Sequence, residues 1–330
     1  MGDGTRVLHG AHQLLTLAGG PQRGRTLGRL GIVQDGALAW RGATILAAGP
    51  SEEVLQRFPG AERIDAAGRV VMPGFVDPHT HLVWAGDRAA EFEQRLAGAS
   101  YQEIMASGGG IVSTVRRTRA ASVEELVEAA AARAWRMLAH GTTTAEAKTG
   151  YGLDTESELR LLEAILRLQT RTPLRIVPTF LGAHAVPAEL AGRTDDYVRL
   201  LTDTMLPATR AWWDEHAPGR PLPFVDAFCE AGAFDLAQSR RILEAARALG
   251  FPLKIHADEF AGLGGTGLAV ELGAVSADHL VHTPDADIAA LGASATIAVA
   301  LPCTPFGLAE REYTPAAALL DAGACLALAT

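Results

Sequence analysis

From Val70 onward the chain repeats one unit: a short apolar run, then a stretch with helical spacing. Eight such runs can be counted: VVMPGFVD, TTTAEAK, LRIVPTFLGAH, FVDAFCE, PLKIHAD, AVSADHL, ATIAVALP and CLALAT. Runs this short, separated by helices, read as strands of a parallel sheet. Eight of them are the number that closes an α/β (β/α)8 TIM-like barrel. The intervening helices carry their own punctuation. SVEELVEAAAARAWRMLAHG opens with a capping box, Ser122 to Glu125, and stops at Gly141. TESELRLLEAILRLQ places Leu159, Leu162 and Leu166 on one stripe and reads as a second box, Thr155 to Glu158. AWWDEHAPGRPLP, 211–223, reads as an irregular surface loop.

Residues 1–68 have a different texture, with β-capable runs broken by turns. GALAWRGATILAAGP reads as a hairpin about Arg41-Gly42. The sequence therefore divides into a small β-sandwich-type domain over 1–68 and the barrel over 69–330. A length of 330 residues suits that division, at roughly 150 residues per domain.

The net charge of −9 argues against nucleic acid, which needs a basic footprint. Three cysteines, Cys229, Cys303 and Cys325, form no close pair, which fits a reduced cytoplasmic protein and neither a disulfide framework nor a CxxC site. No basic segment followed by an apolar core opens the chain, and Arg6 stands where a myristoylation signal needs Ser or Thr. No apolar run approaches the ~20 residues of a membrane span. The expectation is a cytoplasmic enzyme with a small-molecule substrate, no nucleic-acid or membrane partner, and a homodimer as an assembly that would not surprise.

In a (β/α)8 barrel the reactive groups stand at the C-terminal ends of the strands. The polar residues here follow that rule. His79 and His81 follow strand one, Glu146 and Lys148 end strand two, His184 ends strand three and Glu230 strand four. His256, Asp258 and Glu259 end strand five; Asp278 and His279 end strand six. Residues i and i+2 of an extended chain point the same way, so His79 and His81 can face one ion, with His256 as a third ligand from across the barrel. Alone, an HxH pair is more often two polar loop residues than a metal site. The HADE run at a second strand end reverses that balance. Glu259, three residues beyond a ligand, could take a proton from water and pass it to a leaving group. Gly-rich SGGGI and LGGTG lack phosphate-loop spacing and read as turns.

Taken together, MPGFVDPHTHLVWAGDRAAEF, GASYQEIMASGGGIVSTVRRTRAAS, LAHGTTTAEAKTGYGL, TFLGAHAVP, KIHADEF and SADHL closely resemble the imidazolonepropionase family of the metal-dependent amidohydrolases, over about residues 30 to 330. The resemblance implies opening of the cyclic amide C–N bond of 4-imidazolone-5-propanoate to give N-formimidoyl-L-glutamate, a step of histidine degradation. It implies His79, His81 and His256 as ligands of one divalent ion, zinc or iron, and Glu259 as the carboxylate near the ring and the attacking water. His279 is expected as a second catalytic group that polarises the carbonyl or holds the nucleophile, the equivalent histidine of related deaminases lying near the metal, and the resemblance implies Arg88, Tyr101, Tyr151 and His184 with Glu259 as substrate contacts. A propanoate needs a partner, and the Arg88 guanidinium can supply paired hydrogen bonds. Since the family resembled uses one metal, Lys148 is expected as a structural ion-pair partner rather than a metal bridge.

The family pattern also implies an aspartate ligand directly after strand eight, followed by Asn-Pro-Gly, whereas these residues stop at Thr330. The expectation is a truncated sequence that lacks the fourth ligand, the last barrel helices and the C-terminal strands of the β-domain. Such a chain would show little or no turnover until extended. Two other readings compete. A deaminase of a cyclic amidine or guanine-like base is disfavoured by Arg88, Tyr151 and His184, because a neutral base needs no carboxylate clamp. An inactive metal-binding fragment is the other.

Overall fold

The structure, a computed structural model, describes residues 4–98 and 109–330, so Tyr101 lies outside the described residues. The chain forms two compact units, Met1–Gly74 and Phe75–Thr330.

In the first unit the long strand β1 (Thr5–Leu15) pairs antiparallel with β2 (Ile32–Arg41), which pairs antiparallel with β3 (Thr44–Pro50). The β2–β3 turn falls at Arg41-Gly42 as the sequence suggests, with Gly42 at φ +55°, a value that favours glycine. Strands β4 (Glu62–Asp65) and β5 (Val70–Val71) join β1 in parallel. The helix Ser51–Arg57 buries Val54 against Val7, Ala37 and Ala39.

The run VVMPGFVD is therefore not one strand. Val70–Val71 belongs to the N-terminal sheet, and the barrel begins at β6 (Phe75–Asp77). An apolar run does not say which sheet it joins, and Pro73-Gly74 breaks it.

The second unit continues with β7 (Thr142–Lys148), β8 (Arg175–Ala183), β9 (Phe224–Cys229), β10 (Lys254–Ala257), β11 (Ser276–His279), β12 (Ile297–Ala300) and β13 (Leu326–Leu328). With β6 they form one eight-stranded sheet in sequence order, parallel throughout. Its two ends approach where Thr330 donates to the Asp77 carboxylate through N (3.4 Å) and Oγ1 (2.7 Å). The result is a nearly closed α/β barrel with helices in the connections.

Strand alternation explains the residue pattern. In β10, Ile255 and Ala257 face outward onto the core that holds Leu268 and Ile242, so Lys254 and His256 face the barrel interior. Ser122 caps the helix Val123–Ala139 through Glu125 as expected. The helix Thr155–Leu168 departs from expectation: Asp154, not Thr155, is its cap and accepts from Ser157 N at 2.8 Å. Residues 211–216 are also not loop. They complete the helix Leu206–His216 and bury Trp213 in the core. The terminal His-Ala-Pro-Gly, which reads as loop, ends that helix. No helix among the described residues is long and apolar enough to cross a membrane.

Candidate active site

The parallel register sets the site. His256 on β10 lies beside Phe228 of β9 and Asp278 of β11, and Ala257 lies beside His279. The Pro78–His81 segment leaves β6 and brings its two imidazoles to the same end. Ligand atoms of His79, His81 and His256 lie within 4.8 Å of one another. His81 Nε2 and His256 Nε2 face each other across 3.3 Å, and His81 Nδ1 is buried with no hydrogen-bond partner.

Carboxylates orient the other two rings. His79 Nδ1 donates to Asp278 Oδ2 at 2.6 Å. His256 Nδ1 stands 2.9 Å from Asp226 Oδ2, within ion-pair distance but outside hydrogen-bond geometry. The hydrogen bond to Asp278 fixes the tautomer of His79 and leaves its Nε2 as the lone-pair donor, while Asp226 faces His256 as a nearby charge.

Burial first, then Lys148, pushes His79 and His256 well below the ordinary histidine range; burial and then His184 do the same to His81. Neutral imidazole is the ligating form.

Beneath the rings lies a buried ionic lattice. Lys148 Nζ contacts Asp226 (2.6 Å) and Glu146 (2.9 Å). Lys254 Nζ contacts Glu146 (3.0 Å) and Asp278 (3.2 Å) and donates to Pro78 O at 2.7 Å. Two ammoniums against three carboxylates leave one negative charge. That charge, beneath three neutral imidazoles, suits a bound cation. Lys148 is thus an ion-pair partner, as the sequence reading has it.

A further carboxyl and a fourth imidazole stand nearby. Glu259 Oε1 lies 3.5 Å from His279 Nδ1. Burial, then Glu230, pushes the Glu259 carboxyl up to about 8. Glu230 also holds the Glu259 loop by accepting from Phe260 N at 2.8 Å. Burial lowers His279 to about 4 against the pull of Asp278. His279 and Leu280 both sit at positive φ, +81° and +62°; non-glycine residues held there concentrate at functional sites.

A cavity of about 360 Å³ opens beside these groups and is lined by Arg88, Tyr151, His184, His256, Glu259 and His279, among others. Arg88 Nε is fixed by Thr114 Oγ1 at 2.9 Å. His184 stacks on His81 at 4.7 Å between centroids and donates through Nδ1 to Gly150 O at 2.9 Å. The site residues named from the sequence thus converge on one barrel end, Tyr101 excepted, which lies outside the described residues. Asp226, Asp278 and Lys254 were not singled out as orienting groups. Asp226 and Lys254 signal themselves only by inward phase, since Asp226 and Phe228, like Lys254 and His256, share a strand face, and Asp278 only by its place at a strand end.

Comparison with known proteins agrees with this geometry. A family model described as "Amidohydrolase family" matches residues 62–109. The barrel resembles atrazine chlorohydrolase from Arthrobacter aurescens complexed with zinc (TM-score 0.64, 16% identity, 98% of this chain and 71% of that one). It also resembles an adenosine deaminase from Xanthomonas campestris with bound zinc (TM-score 0.59, 17% identity, 98% and 68%). Barrel and histidine cluster together define a metal-dependent hydrolase of the amidohydrolase class. Within that class, imidazolonepropionases from Chloroflexus aggregans and Herpetosiphon aurantiacus share 54% and 53% identity, over 98% and 97% of this chain and 77% and 76% of theirs. The chain belongs to the imidazolonepropionase family.

Proposed function

We propose that the chain hydrolyses the ring amide of 4-imidazolone-5-propanoate to N-formimidoyl-L-glutamate, with His79, His81 and His256 holding one zinc or ferrous ion. The observation that carries the reading is the convergence, at one barrel end, of three neutral imidazoles and a cavity walled by Arg88. Held there, such an ion supplies the Lewis acidity that makes water nucleophilic at neutral pH.

The chain's own groups do the rest. Arg88, its Nε already anchored to Thr114, presents its Nη groups to the propanoate. Burial lowers His184 to about 4, so at neutral pH it is an uncharged Nδ1–H donor to Gly150 with Nε2 as an acceptor for a ring N–H. Tyr151 completes the substrate contacts among the described residues. Glu259 takes a proton as water attacks the carbonyl carbon, and His279 holds the carbonyl oxygen or the nucleophile. The ring C–N bond then breaks, and the proton on Glu259 goes to the leaving nitrogen. A carboxyl titrating near 8 can accept and release that proton close to neutral pH. Cysteine usage, with Cys229 buried and unpaired, supports a cytoplasmic setting.

The test is a single-turnover experiment with the full-length protein in excess over 4-imidazolone-5-propanoate. The expected result is loss of imidazolone absorbance with matching formation of N-formimidoyl-L-glutamate, stopped by chelator and restored by zinc or iron(II). Release of ammonia from a cyclic amidine base, with the imidazolone left closed, would favour the deaminase reading instead.

A further inference from the structure

We infer that Glu158 is a positioning residue that holds the Tyr151–His184 wall of the substrate cavity, an inference that rests on the substrate reading above. Glu158 lies in the first turn of the helix Thr155–Leu168 and is fully buried. The helix does not need it as a cap, since Asp154 fills that role. Its carboxylate reaches back into the preceding loop. Oε2 accepts from Gly150 N at 3.0 Å; Oε1 accepts from Gly152 N at 2.7 Å and Leu153 N at 2.8 Å. The Thr149 hydroxyl bonds to the same group. The two oxygens therefore grip the amides on either side of Tyr151.

The loop is shaped to permit this. Gly150 has φ +104° and Leu153 φ +57°. A Cβ on Gly152 would meet Glu158 N at 2.7 Å, and one on Gly150 would meet Leu181 O at 2.9 Å and His184 Nδ1 at 3.0 Å. From outside, Arg119 Nε donates to Gly152 O at 2.5 Å. The grip extends to the cavity. Gly150, whose N–H is held by Glu158, accepts from His184 Nδ1 through its carbonyl. Tyr151 lies 5.2 Å from the His184 ring and 5.6 Å from that of His81. One buried carboxylate thus fixes both the phenol and the tautomer of the imidazole that face the substrate. Glu158 touches none of His79, His81 or His256.

The Glu158→Gln variant keeps the volume but turns an amide NH2 toward backbone N–H groups, so at least one of the three contacts is lost. The expected result is a rise of roughly tenfold in KM, the scale of one lost hydrogen bond to a charged group, with kcat within about twofold and zinc content unchanged. Nitrogen-15 NMR of the imidazoles is expected to show His184 moving from the Nδ1–H tautomer toward the Nε2–H form. Gly152→Ala pushes the loop off an intact Glu158 and is expected to give the same KM and NMR changes. If both variants keep the parent KM and His184 tautomer, or if kcat and zinc content fall while KM stands, the inference is overturned. The NMR readout needs no substrate. Failure of the parent to bind 4-imidazolone-5-propanoate would therefore count against the substrate reading alone, while an altered tautomer still supports the positioning role.

Discussion

His184→Gln separates the electrostatic cost of a buried imidazole from its hydrogen bond. The glutamine amide can still donate to Gly150 O, but it cannot take a proton. Burial lowers the parent His184 from 6.5 to about 4, with the Gly150 hydrogen bond opposing. A histidine depressed in the folded state binds its proton less readily there than when unfolded. It therefore adds no penalty above about pH 6.5, and stability falls as pH drops from there toward 4. With those two values the loss between pH 7.5 and pH 5 is about 2 kcal/mol for this one group. Urea unfolding of parent and variant at both pH values, read on tryptophan fluorescence, gives the difference. Titrations of buried groups that His184 does not face are shared and cancel, while His81, His256 and His279, which His184 lowers, are followed separately by NMR. The expected result is that the parent loses about 2 kcal/mol more than H184Q on acidification. Equal losses in the two chains would refute the claim that His184 is held neutral in the fold.

Lys148→Met leaves Glu146 and Asp226 buried without their shared cation, and urea unfolding is expected to register a loss of about 3–5 kcal/mol; a loss under about 1 kcal/mol would mean the lattice is already neutralised by other means. Arg88→Lys keeps the charge but gives up the planar pair of donors, so calorimetry is expected to show roughly tenfold weaker binding of 4-imidazolone-5-propanoate with zinc content unchanged. Unchanged affinity would remove Arg88 from the carboxylate clamp.

Much of the site was legible because a barrel converts sequence order into spatial order. His79, His81, His256 and His279 each follow or end a strand, and the parallel register does the rest. What escaped was long-range or locally ambiguous. Glu158 stands three residues from Thr155, the spacing of a capping box, yet its carboxylate is spent on Gly150, Gly152 and Leu153. Only the backward fold of that loop reveals this. Asp278 was visible as a strand-end residue, but its bond to His79 spans 199 positions. Trp212 and Trp213 are mediocre helix formers beside Pro218 and Gly219, so the end of their helix reads as loop. In 70–77, apolar character marked strand without marking sheet, and the run divides between the two units.

The central claim is that three imidazoles from two strand ends hold one cation. Equilibrium zinc titration against a competing chelator measures this directly, on the parent and on His79→Gln, His81→Gln and His256→Gln, with exposed His216→Gln as control. One equivalent of zinc is expected to bind the parent and the control alike, and each of the three variants is expected to bind at least about a hundredfold more weakly. One equivalent bound with parental affinity by any of these three variants would contradict it.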